Sequence, residues 1–499
     1  MRITIGTRIG RLAAEHPDRT AVVSVDARGN RSALTWAELD HQTNLAADGL
    51  AALGVTAAST VPIALPAGLG HLRATLGAWK LGALVIPIDP AATPRERAAF
   101  ASTVGDHFLV DSTAWYDDAQ PLASPRSGDD PGPLASARSG DDARPVAASR
   151  STGVGTPRSA SLTGGTTGLP RVILRAKPWV YDEGEFLSAS DTARGVRPGQ
   201  VQLVVLPMYH AGFTALYQGL VLDHLLVIME RFVPSLWPKL VAEYGVQHIR
   251  IVPAYLRMLL DVPGLADYDL SSIESLHHGA GPCPEHLKRR WIELLGPEKI
   301  IEDYASQERI GSVIIRGDEW LEHPGSVGRP ADGQVRILDD HGEPVAKGTI
   351  GQIYFRGTSR PQYVGAGPEL AEHDGYLSVG DLGRLDSDGY LYLVDRLSSV
   401  LNVGGQNVYP AEIEAVLSAH PGVADVAVTG VPHDYLGQSV HALIVPTDPD
   451  DPVNPTELET YSRTHLTAGK APLSYAIVQE LPRRTSGKLR RDRLSGIDR

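Results

Sequence analysis

VPIALPAGLGHLRATLGAWKLGALVIPI, residues 61–88, contains the pattern that decides the fold class. Two short apolar runs, 61–66 and 83–88, are bounded by proline and glycine, and they flank a stretch with helical spacing of apolar residues, His71–Leu81. A strand, a helix and a second strand in this order are typical of a mainly parallel sheet covered by helices. The alternation recurs further along the chain and predicts a large α/β region, with strands at 201–206, 225–229, 249–253 and 299–301.

The pattern changes towards the carboxyl terminus, and 499 residues exceed what one hydrophobic core usually supports. From about residue 334 short β-like runs follow one another, and Asp388-Gly389 between two apolar runs is a strong hairpin signal. The remaining residues mix helical and strand patterns, as in a small α+β unit. We therefore predict an N-terminal α/β domain with a β-rich subdomain over 1–395, and a small C-terminal α+β domain over 396–499.

Residues of about 119–158 differ in composition from the rest of the chain. Pro, Ser, Gly, Asp, Ala and Arg dominate, and PLASPRSGDD (121–130) recurs as PLASARSGDD (133–142). Two copies are too few for a solenoid, and this composition cannot bury a core. We expect a disordered surface insertion.

Charge and composition exclude several classes of partner. Lys and Arg number 46 against 59 Asp and Glu, and the formal charge of −13 argues against binding to nucleic acid or anionic membrane. Cys283 is the only cysteine, which excludes an intrachain disulfide and suits a reducing compartment. The first residues lack the apolar stretch of a signal peptide, and the most apolar segments are too short to span a bilayer. We expect a cytoplasmic protein.

The loop SLTGGTTGLPR, Ser161–Arg171, is the first candidate for chemistry. Its three glycines and four hydroxyl residues in eleven positions offer backbone N–H groups and hydroxyl donors that can surround phosphate oxygens. It is not a Walker P-loop, because no Gly-Lys-Ser/Thr follows at the required spacing. A turn rich in Gly and Thr is more often only a turn, so the phosphate-binding interpretation depends on residues elsewhere.

Further short motifs occur along the chain in a fixed order, and with them the chain resembles the superfamily of adenylate-forming enzymes. That superfamily contains acyl-CoA ligases, firefly luciferase and nonribosomal peptide adenylation domains. Each motif is weak alone, but their order over more than four hundred residues is specific: LTWAELD, LGAWKLGALVIPIDP, LTGGTTGLPR, LPMYHAGF, HHGAGPCP, DYASQE, GSVGRP, GQIYFRG, YLSVGDLGRLDSDGYLYLVDR, GGQNVYPAEIEAVL and LPRRTSGKLRR. The resemblance implies activation of a carboxylic acid by ATP and Mg²⁺ to an acyl-adenylate, with a mobile C-terminal domain.

The Thr/Gly loop folds over the β- and γ-phosphates of ATP in this family. The resemblance assigns that role to Thr163, Gly164, Thr166 and Thr167, and it also places Thr167 at the magnesium ion. The loop of family members usually ends in Lys, whereas here Arg171 keeps the positive charge.

The segment DYASQE resembles the part of the family that binds adenine and magnesium. Tyr304 would stack on the base, Glu308 would coordinate Mg²⁺, and Asp303 would contact the nucleotide. Family members usually carry Gly and Thr where this chain has Ala305 and Gln307. The Thr commonly contacts the α-phosphate, and Gln307 can still donate a hydrogen bond there.

Two other motifs would form the acyl side of the site. LPMYHAGF would place His210 beside the reacting carboxylate, although a single His after a strand is more often structural. HHGAGPCP, residues 277–284, would form a floor between adenine and acyl chain, where Gly279, Ala280 and Gly281 let the backbone approach closely.

Asp381 in SVGDLGRL matches the residue that accepts hydrogen bonds from both ribose hydroxyls, a role that suits an ionised carboxylate. The alternative is an Asp that only caps a turn. Arg396 would hold the ribose or the phosphates. Two residues later the family often has Asp or Lys as a hinge, and here a small polar residue, Ser398, would absorb the rotation.

Lys488 in RTSGKLRR matches the catalytic lysine of the family. Its ammonium group would offset the repulsion between the attacking carboxylate and the α-phosphate in the transition state. The alternative is a basic C-terminal tail that is only solvated or binds nucleic acid.

The acid is predicted to be aryl or apolar, because Tyr209, Phe213 and Tyr217 would flank it. Amino-acid adenylation domains of this superfamily usually place an Asp near this motif to pair with the substrate ammonium. LPMYHAGF has no carboxylate, so the resemblance disfavours an α-amino acid. We expect a stand-alone ligase of small-molecule acids.

The acceptor stays open between the thiol of coenzyme A and an amine, as in amide-bond synthetases. Coenzyme A is the commoner acceptor in the family, and Gly404 and Gly405 suit a narrow pantetheine channel. An inactive binding homologue is a third possibility, supported by Gln307 and Ser398. A hydrolase or a zinc enzyme is disfavoured, since neither Gly-x-Ser-x-Gly nor a metal-ligand spacing occurs.

Overall fold

A computed structural model of the chain describes residues 2–113, 156–163, 171–175, 177–182, 184, 186–357, 360–365, 370–467, 469–483, 489–494 and 497. The repeat at 121–142, and nearly all of the insertion predicted over about 119–158, lie outside these residues.

The largest sheet in the described part of the chain has nine strands, and six neighbouring strands run parallel. Most of the parallel strands are rich in Val, Leu and Ile, as expected where helices cover both faces of a sheet. In spatial order the strands are Arg329–Asp332, Ser312–Arg316, Ile300–Ala305, Ser275–Gly279, His248–Ile251, Val201–Val204, Leu225–Met229, Thr20–Val25 and Arg31–Thr35.

A second sheet of five strands confirms the prediction for residues 61–88. Thr60–Ile63 and Leu84–Pro87 pair in parallel, and the helix Leu69–Lys80 connects them. The sheet continues from Leu84–Pro87 through Arg158–Thr163 and Arg171–Leu174 to Gln362–Val364. A further pair of short strands, Ile3–Thr4 and Val180–Tyr181, lies apart from both sheets.

The region after residue 333 forms the predicted β-rich unit, a six-stranded antiparallel sheet in the described part of the chain. Its strands are Gln334–Leu338, Gly351–Arg356, Ala371–His373, Tyr376–Ser378, Asp381–Leu385 and Leu391–Arg396. The last two form the hairpin predicted at Asp388-Gly389. Gly389 has φ +84°, which favours glycine, and the Asp386 carboxylate accepts hydrogen bonds from the backbone N–H groups of Asp388 and Tyr390.

Residues after 400 form a small α+β unit with its own sheet and core. The strands are Leu401–Val403, Gln406–Val408, Val423–His433, Gly437–Pro446 and Ser474–Ile477. Ile413, Leu417 and Leu458, from the two helices of this unit, are fully buried against Val428 and Ile444. The chain thus has a large N-terminal α/β region and a small C-terminal one, as predicted, while the boundary between 395 and 396 stays a prediction.

Helices cover the sheets of the large region, and side-chain caps fix where several of them begin. Thr35 and Glu38 form a reciprocal capping box at one helix, and Thr93 and Glu96 form another. The described helices are Ile5–Glu15, Trp36–Ala52, Leu69–Lys80, Pro94–Val104, Ala189–Ala193, Ala211–Val221, Trp237–Tyr244, Pro253–Leu260, Glu285–Leu295, Gly317–Glu322, Pro410–Leu417 and Pro455–His465. No helix among the described residues combines the length and the apolar character needed to cross a bilayer.

An ion pair between Lys80 and Asp40 connects the helices Trp36–Ala52 and Leu69–Lys80, where two of the sequence motifs lie. The Lys80 ammonium donates to Oδ1 of Asp40 at 2.7 Å and to Oδ1 of Asn44 at 2.7 Å. Lys80 is nearly inaccessible to solvent, with 2% of its side chain exposed, so these partners satisfy a buried charge.

Candidate active site

The motifs converge at one edge of the nine-stranded sheet. The motif LPMYHAGF follows the strand Val201–Val204. HHGAGPCP and DYASQE begin inside the strands Ser275–Gly279 and Ile300–Ala305, and both extend beyond the carboxyl ends of these strands. The carboxyl ends of parallel strands form the usual ligand-binding edge of an open α/β sheet. A cleft of about 3420 Å³ opens at this edge and extends to the small C-terminal unit.

Most of the predicted site residues that the structure describes line this cleft: Arg171, Tyr209, His210, Phe213, Ala280, Gly281, Asp303, Tyr304, Gln307, Glu308, Asp381, Arg396 and Ser398. The side chain of Thr163, and Gly164, Thr166, Thr167 and Lys488, lie outside the described residues. The roles of all these residues stay predictions.

Asp381 joins two sheets at the cleft. Its Oδ2 accepts a hydrogen bond from the Tyr304 hydroxyl at 2.5 Å, and its Oδ1 accepts one from Nε of Arg396 at 2.8 Å. Burial and the neighbouring Asp381 carboxylate raise the pKa of Tyr304, so the phenol stays protonated and donates. Each carboxylate oxygen has two lone pairs and so retains one for a ligand hydroxyl.

Glu308 and Arg171 both line the cleft and both act on Tyr363. The pKa of Tyr363 is raised to about 12, first by burial and then by the Glu308 carboxylate, while Arg171 opposes the shift. Glu308 and Arg171 therefore both lie within electrostatic reach of Tyr363. Among the described residues no three His, Cys, Asp or Glu side chains are placed to hold a metal ion. A lone carboxylate fits Mg²⁺ that arrives bound to nucleotide phosphates, because Mg²⁺ usually keeps such ligands and several waters.

The floor of the cleft needs a close approach between two strands. A Cβ on Gly279 would lie 2.5 Å from Oδ1 and 2.6 Å from the carbonyl oxygen of Asp303, so a larger residue would collide with the next strand. Ala280 has φ +65°, a left-handed conformation that non-glycine residues rarely adopt. Such strain is often retained where a loop must present its backbone to a ligand.

Asp303 is held in a buried network. Its Oδ1 lies 2.5 Å from Nε2 of His277, and its Oδ2 lies 3.1 Å from Nη2 of Arg194 and 4.0 Å from Nη2 of Arg250. Burial alone would raise the pKa of Asp303, but these neighbours lower it well below its usual range. The carboxylate is therefore ionised and committed to protein partners, which favours a positioning role over a direct contact with the nucleotide.

The predicted acyl side combines an accessible and a buried part. Tyr209 and His210 lie just before the helix Ala211–Val221, with ring centroids 4.7 Å apart. Phe213, one turn later, is nearly buried and packs edge-on against Trp79 at 5.6 Å. Tyr217 is fully buried behind it, so it shapes the wall through packing.

A short 3-10 turn, Leu397–Ser399, follows the predicted boundary between the large and small regions. Directly before it, Oδ2 of Asp395 accepts a hydrogen bond from the backbone N–H of Ala411 at 2.9 Å. Asp395 thus connects the last strand of the β-rich unit to the first helix of the small unit, with Ser398 between them.

The residues on either side of the undescribed segment 484–488 lie at the cleft. Arg483 and Leu489 pair with each other in a β-bridge, and both line the cleft. Arg483 also forms an ion pair with Asp425, 2.6 Å apart. The attachment points of the Lys488 loop are therefore at the cleft wall.

Sequence reasoning missed four arginines that line the same cleft, Arg175, Arg194, Arg250 and Arg309. A signal was present for Arg250, since a charged residue in the mostly buried strand HIRI calls for a specific partner. The other three follow loops or short elements, where no periodicity indicates the direction of the side chain.

Comparisons with known proteins agree with these observations. A family profile described as AMP-binding enzyme matches residues 10–360, more than half of the chain, and one described as AMP-binding enzyme C-terminal domain matches residues 412–488. The fatty acid–[acyl-carrier-protein] ligase ScoC of Streptomyces coeruleorubidus is 28% identical over 495 residues, which cover 96% of this chain and 94% of that protein.

Two solved structures are similar over nearly the whole chain. One is o-succinylbenzoate CoA synthetase (MenE) of Bacillus subtilis in complex with the acyl-adenylate intermediate OSB-AMP. Its TM-score is 0.80 at 25% identity, and the match covers 99% of this chain and 98% of that one. The other is the amide bond synthetase McbA of Marinactinospora thermotolerans, with a TM-score of 0.76, 24% identity and 98% of each chain covered. At that identity the second likeness supports the fold alone.

Proposed function

The chain belongs to the AMP-binding enzyme family and is an AMP-forming carboxylate ligase, and on this premise we propose that it uses ATP and Mg²⁺ to adenylate a small-molecule acid and passes the acyl group to coenzyme A. The observation that carries the nucleotide assignment is the convergence of Tyr304 and Arg396 on the two oxygens of Asp381. We place the enzyme in a reducing cytoplasm, which its single cysteine supports.

Different residues of the cleft take different roles in the adenylation step. Asp381 accepts from the ribose hydroxyls while Tyr304 and Arg396 hold its carboxylate in place, and the aromatic face of Tyr304 packs on adenine. Glu308 would hold Mg²⁺, which supplies charge neutralisation at the phosphates. The acid carboxylate is held near His210, in line with the α-phosphorus.

The step itself joins two anions. A carboxylate oxygen attacks the α-phosphorus, the bond to the bridging oxygen breaks, and pyrophosphate leaves with its electron pair. The Lys488 ammonium would stabilise the charge that develops between the two groups, a role that suits a cation preorganised in the transition state. Arg171 and the hydroxyls of Thr163, Thr166 and Thr167 would hold the departing phosphates.

Acid-dependent exchange of labelled pyrophosphate into ATP tests the adenylation. We expect exchange with at least one acid of a broad panel of alkyl and aryl acids. Glu308→Gln should shift the Mg²⁺ requirement to higher concentration, whereas Glu322→Gln, an exposed carboxylate on the helix Gly317–Glu322, should match the wild type. No exchange with any acid would overturn the proposal and favour an inactive binding homologue.

The acceptor is tested by competition. The relatives supporting a thiol acceptor include the CoA synthetase from Bacillus subtilis and the carrier-protein ligase described above. Acid and ATP are supplied with coenzyme A, with a simple amine, or with both, and the products are separated by mass spectrometry. A thioester as the main product supports coenzyme A, and amide without thioester would replace it with an amine acceptor.

A further inference from the structure

The cleft contains a cluster of arginines. It consists of Arg175, Arg194, Arg250 and Arg309, all of which line the cleft. Nη2 of Arg194 and Nη2 of Arg250 lie 3.1 Å and 4.0 Å from the same oxygen, Oδ2 of Asp303. Arg309 experiences repulsion from Arg250 and Arg194, and Arg175 experiences repulsion from Arg309.

The carboxylates around the cluster do not balance its charge. Within the part of the chain that the structure describes, two carboxylates act on these arginines, Asp191 and Asp303. Asp303 already interacts with His277 and Arg194, and Asp191 accepts from the Ser188 hydroxyl at 2.7 Å. Among the described residues, four guanidinium groups therefore face two carboxylates, an excess of two positive charges.

Arg175 has a donor with no described partner, and Arg309 has a strained backbone. Nη1 of Arg175 is buried and has no hydrogen-bond partner among the described residues, and burial, together with Arg309, lowers the pKa of Arg175 to about 9. Arg309 makes one hydrogen bond to a described residue, from Nη2 to Oγ1 of Thr214 at 3.3 Å, and has φ +54°. A buried donor without a partner is costly, and a left-handed arginine costs conformational energy, so both features point to a ligand.

The cluster reaches from the predicted acyl side to the predicted magnesium ligand, since Arg309 directly follows Glu308 in the chain. Thr214 lies on the helix Ala211–Val221, four residues after His210 on the predicted acyl side. Arg250 lies on the strand His248–Ile251 of the nine-stranded sheet. The predicted ribose contacts centre instead on Asp381 in the β-rich unit, which accepts hydrogen bonds from Tyr304 and Arg396.

We propose that the arginine cluster binds a second anionic group on the acid, so that the enzyme activates an acid with an anion at the end remote from the reacting carboxylate. This inference rests on the proposed adenylation and specifies its substrate class. Guanidinium groups bind carboxylates and other oxyanions through paired, charge-assisted hydrogen bonds. The aromatic wall at Tyr209 and Phe213 is compatible with such an acid, since it would contact the body between the two ends.

Matched pairs of acids test the inference in wild-type enzyme. Each straight-chain monocarboxylate from butanoate to decanoate is compared with the α,ω-dicarboxylate of the same length, and phenylacetate with 4-carboxyphenylacetate. Pyrophosphate exchange gives kcat/KM for each acid. We expect the dianion of at least one pair to exceed its partner by about tenfold to a hundredfold, as for one or two charge-assisted hydrogen bonds.

Charge removal at one arginine tests the cause. Arg309→Gln should erase most of the preference for the dianion with little change in the KM for ATP, whereas Arg309→Lys should keep part of it. Arg290→Gln is the matched control, because Arg290 is exposed on the helix Glu285–Leu295 and pairs only with Glu293 among described residues. A rise in the KM for ATP without loss of the dianion preference would overturn the inference and assign the cluster to the phosphates.

The outcomes separate the two proposals. Exchange with monocarboxylates but with no dianion overturns the inference and leaves the adenylation in place. If no acid supports exchange, the adenylation fails, and calorimetry with the same dicarboxylates still tests the cluster. Binding to the wild type that is weakened at least tenfold in Arg309→Gln supports the inference, and equal or absent binding to both proteins overturns it.

Discussion

The Tyr304 hydroxyl donates to Oδ2 of Asp381 at 2.5 Å, although the two residues belong to different sheets. Tyr304 lies in the strand Ile300–Ala305 of the parallel sheet, and Asp381 begins the strand Asp381–Leu385 of the antiparallel one. The predicted adenine and ribose contacts are therefore built as one unit across the joint between two subdomains.

Asp381→Asn should weaken ATP binding specifically. The amide replaces one acceptor oxygen by a donor that faces either Tyr304 or Arg396, and loss of one charge-assisted hydrogen bond costs about 1.5–3 kcal/mol. We expect the KM for ATP in pyrophosphate exchange to rise about tenfold to a hundredfold, with a smaller change in the KM for the acid.

Asp388→Asn is the control for this prediction. Asp388 lies in the exposed turn of the same hairpin, so the variant changes the same residue type in the same unit away from the cleft. If the Asp381→Asn enzyme kept the wild-type KM for ATP, the Asp381 carboxylate would not bind the ribose.

Lys488→Ala should abolish adenylation while the protein stays folded. Removal of a cation that stabilises the transition state costs about a hundredfold to a thousandfold in rate. Pyrophosphate exchange measures this loss, and circular dichroism and the melting temperature report the fold. Lys347→Ala, at an exposed position, is the matched control. Exchange near the wild-type rate in Lys488→Ala would remove this lysine from the mechanism.

Lys80→Met should destabilise the large region without acting on the chemistry. Lys80 is buried, and its loss leaves the Asp40 carboxylate, of which 13% is exposed, without its cationic partner. Breaking a buried pair from one side costs about 3–5 kcal/mol. Urea titration measures the loss, with the exposed Lys239→Met as control. Equal stability of both variants would show that the Asp40 carboxylate is adequately solvated.

The sequence predicted the elements whose pattern is local. The strand–helix–strand at 61–88 and the hairpin at Asp388-Gly389 follow from apolar periodicity and turn chemistry, and the structure confirms both. The predicted helix His71–Leu81 instead begins at Leu69, because helix starts are poorly marked where no side chain caps the end, as at Gly68.

Contacts between residues that are distant in sequence could not be predicted from local patterns. The motifs that contain Asp40 and Lys80 were assigned through the resemblance, but only the packing of two helices shows that they form an ion pair. The arginine cluster brings residues 175, 194, 250 and 309 together from a strand and several loops, and no periodicity links them. Side-chain direction in loops depends on tertiary packing, which single-sequence patterns do not encode.

We expect His71 to make the protein less stable on acidification. It is 1% exposed, its Nδ1 lies 3.2 Å from the Tyr217 hydroxyl, and burial lowers its pKa from 6.5 to about 3. Between those two pH values the unfolded chain binds a proton that the folded protein does not, so the free energy of unfolding decreases as the pH falls through this window. The slope from one such histidine is about 1.4 kcal/mol per pH unit.

His71→Gln should reduce the dependence of stability on pH between pH 6.5 and pH 3. Glutamine fills much of the same space and can bond to Tyr217, but it does not titrate. Urea titrations at several pH values should therefore give a shallower decline for His71→Gln than for the wild type, by up to about 1.4 kcal/mol per pH unit. The exposed His41→Gln serves as the matched control and should decline like the wild type. Parallel declines for the wild type and His71→Gln would show that His71 takes up its proton in the folded state, which requires water or an acceptor to reach its buried Nε2.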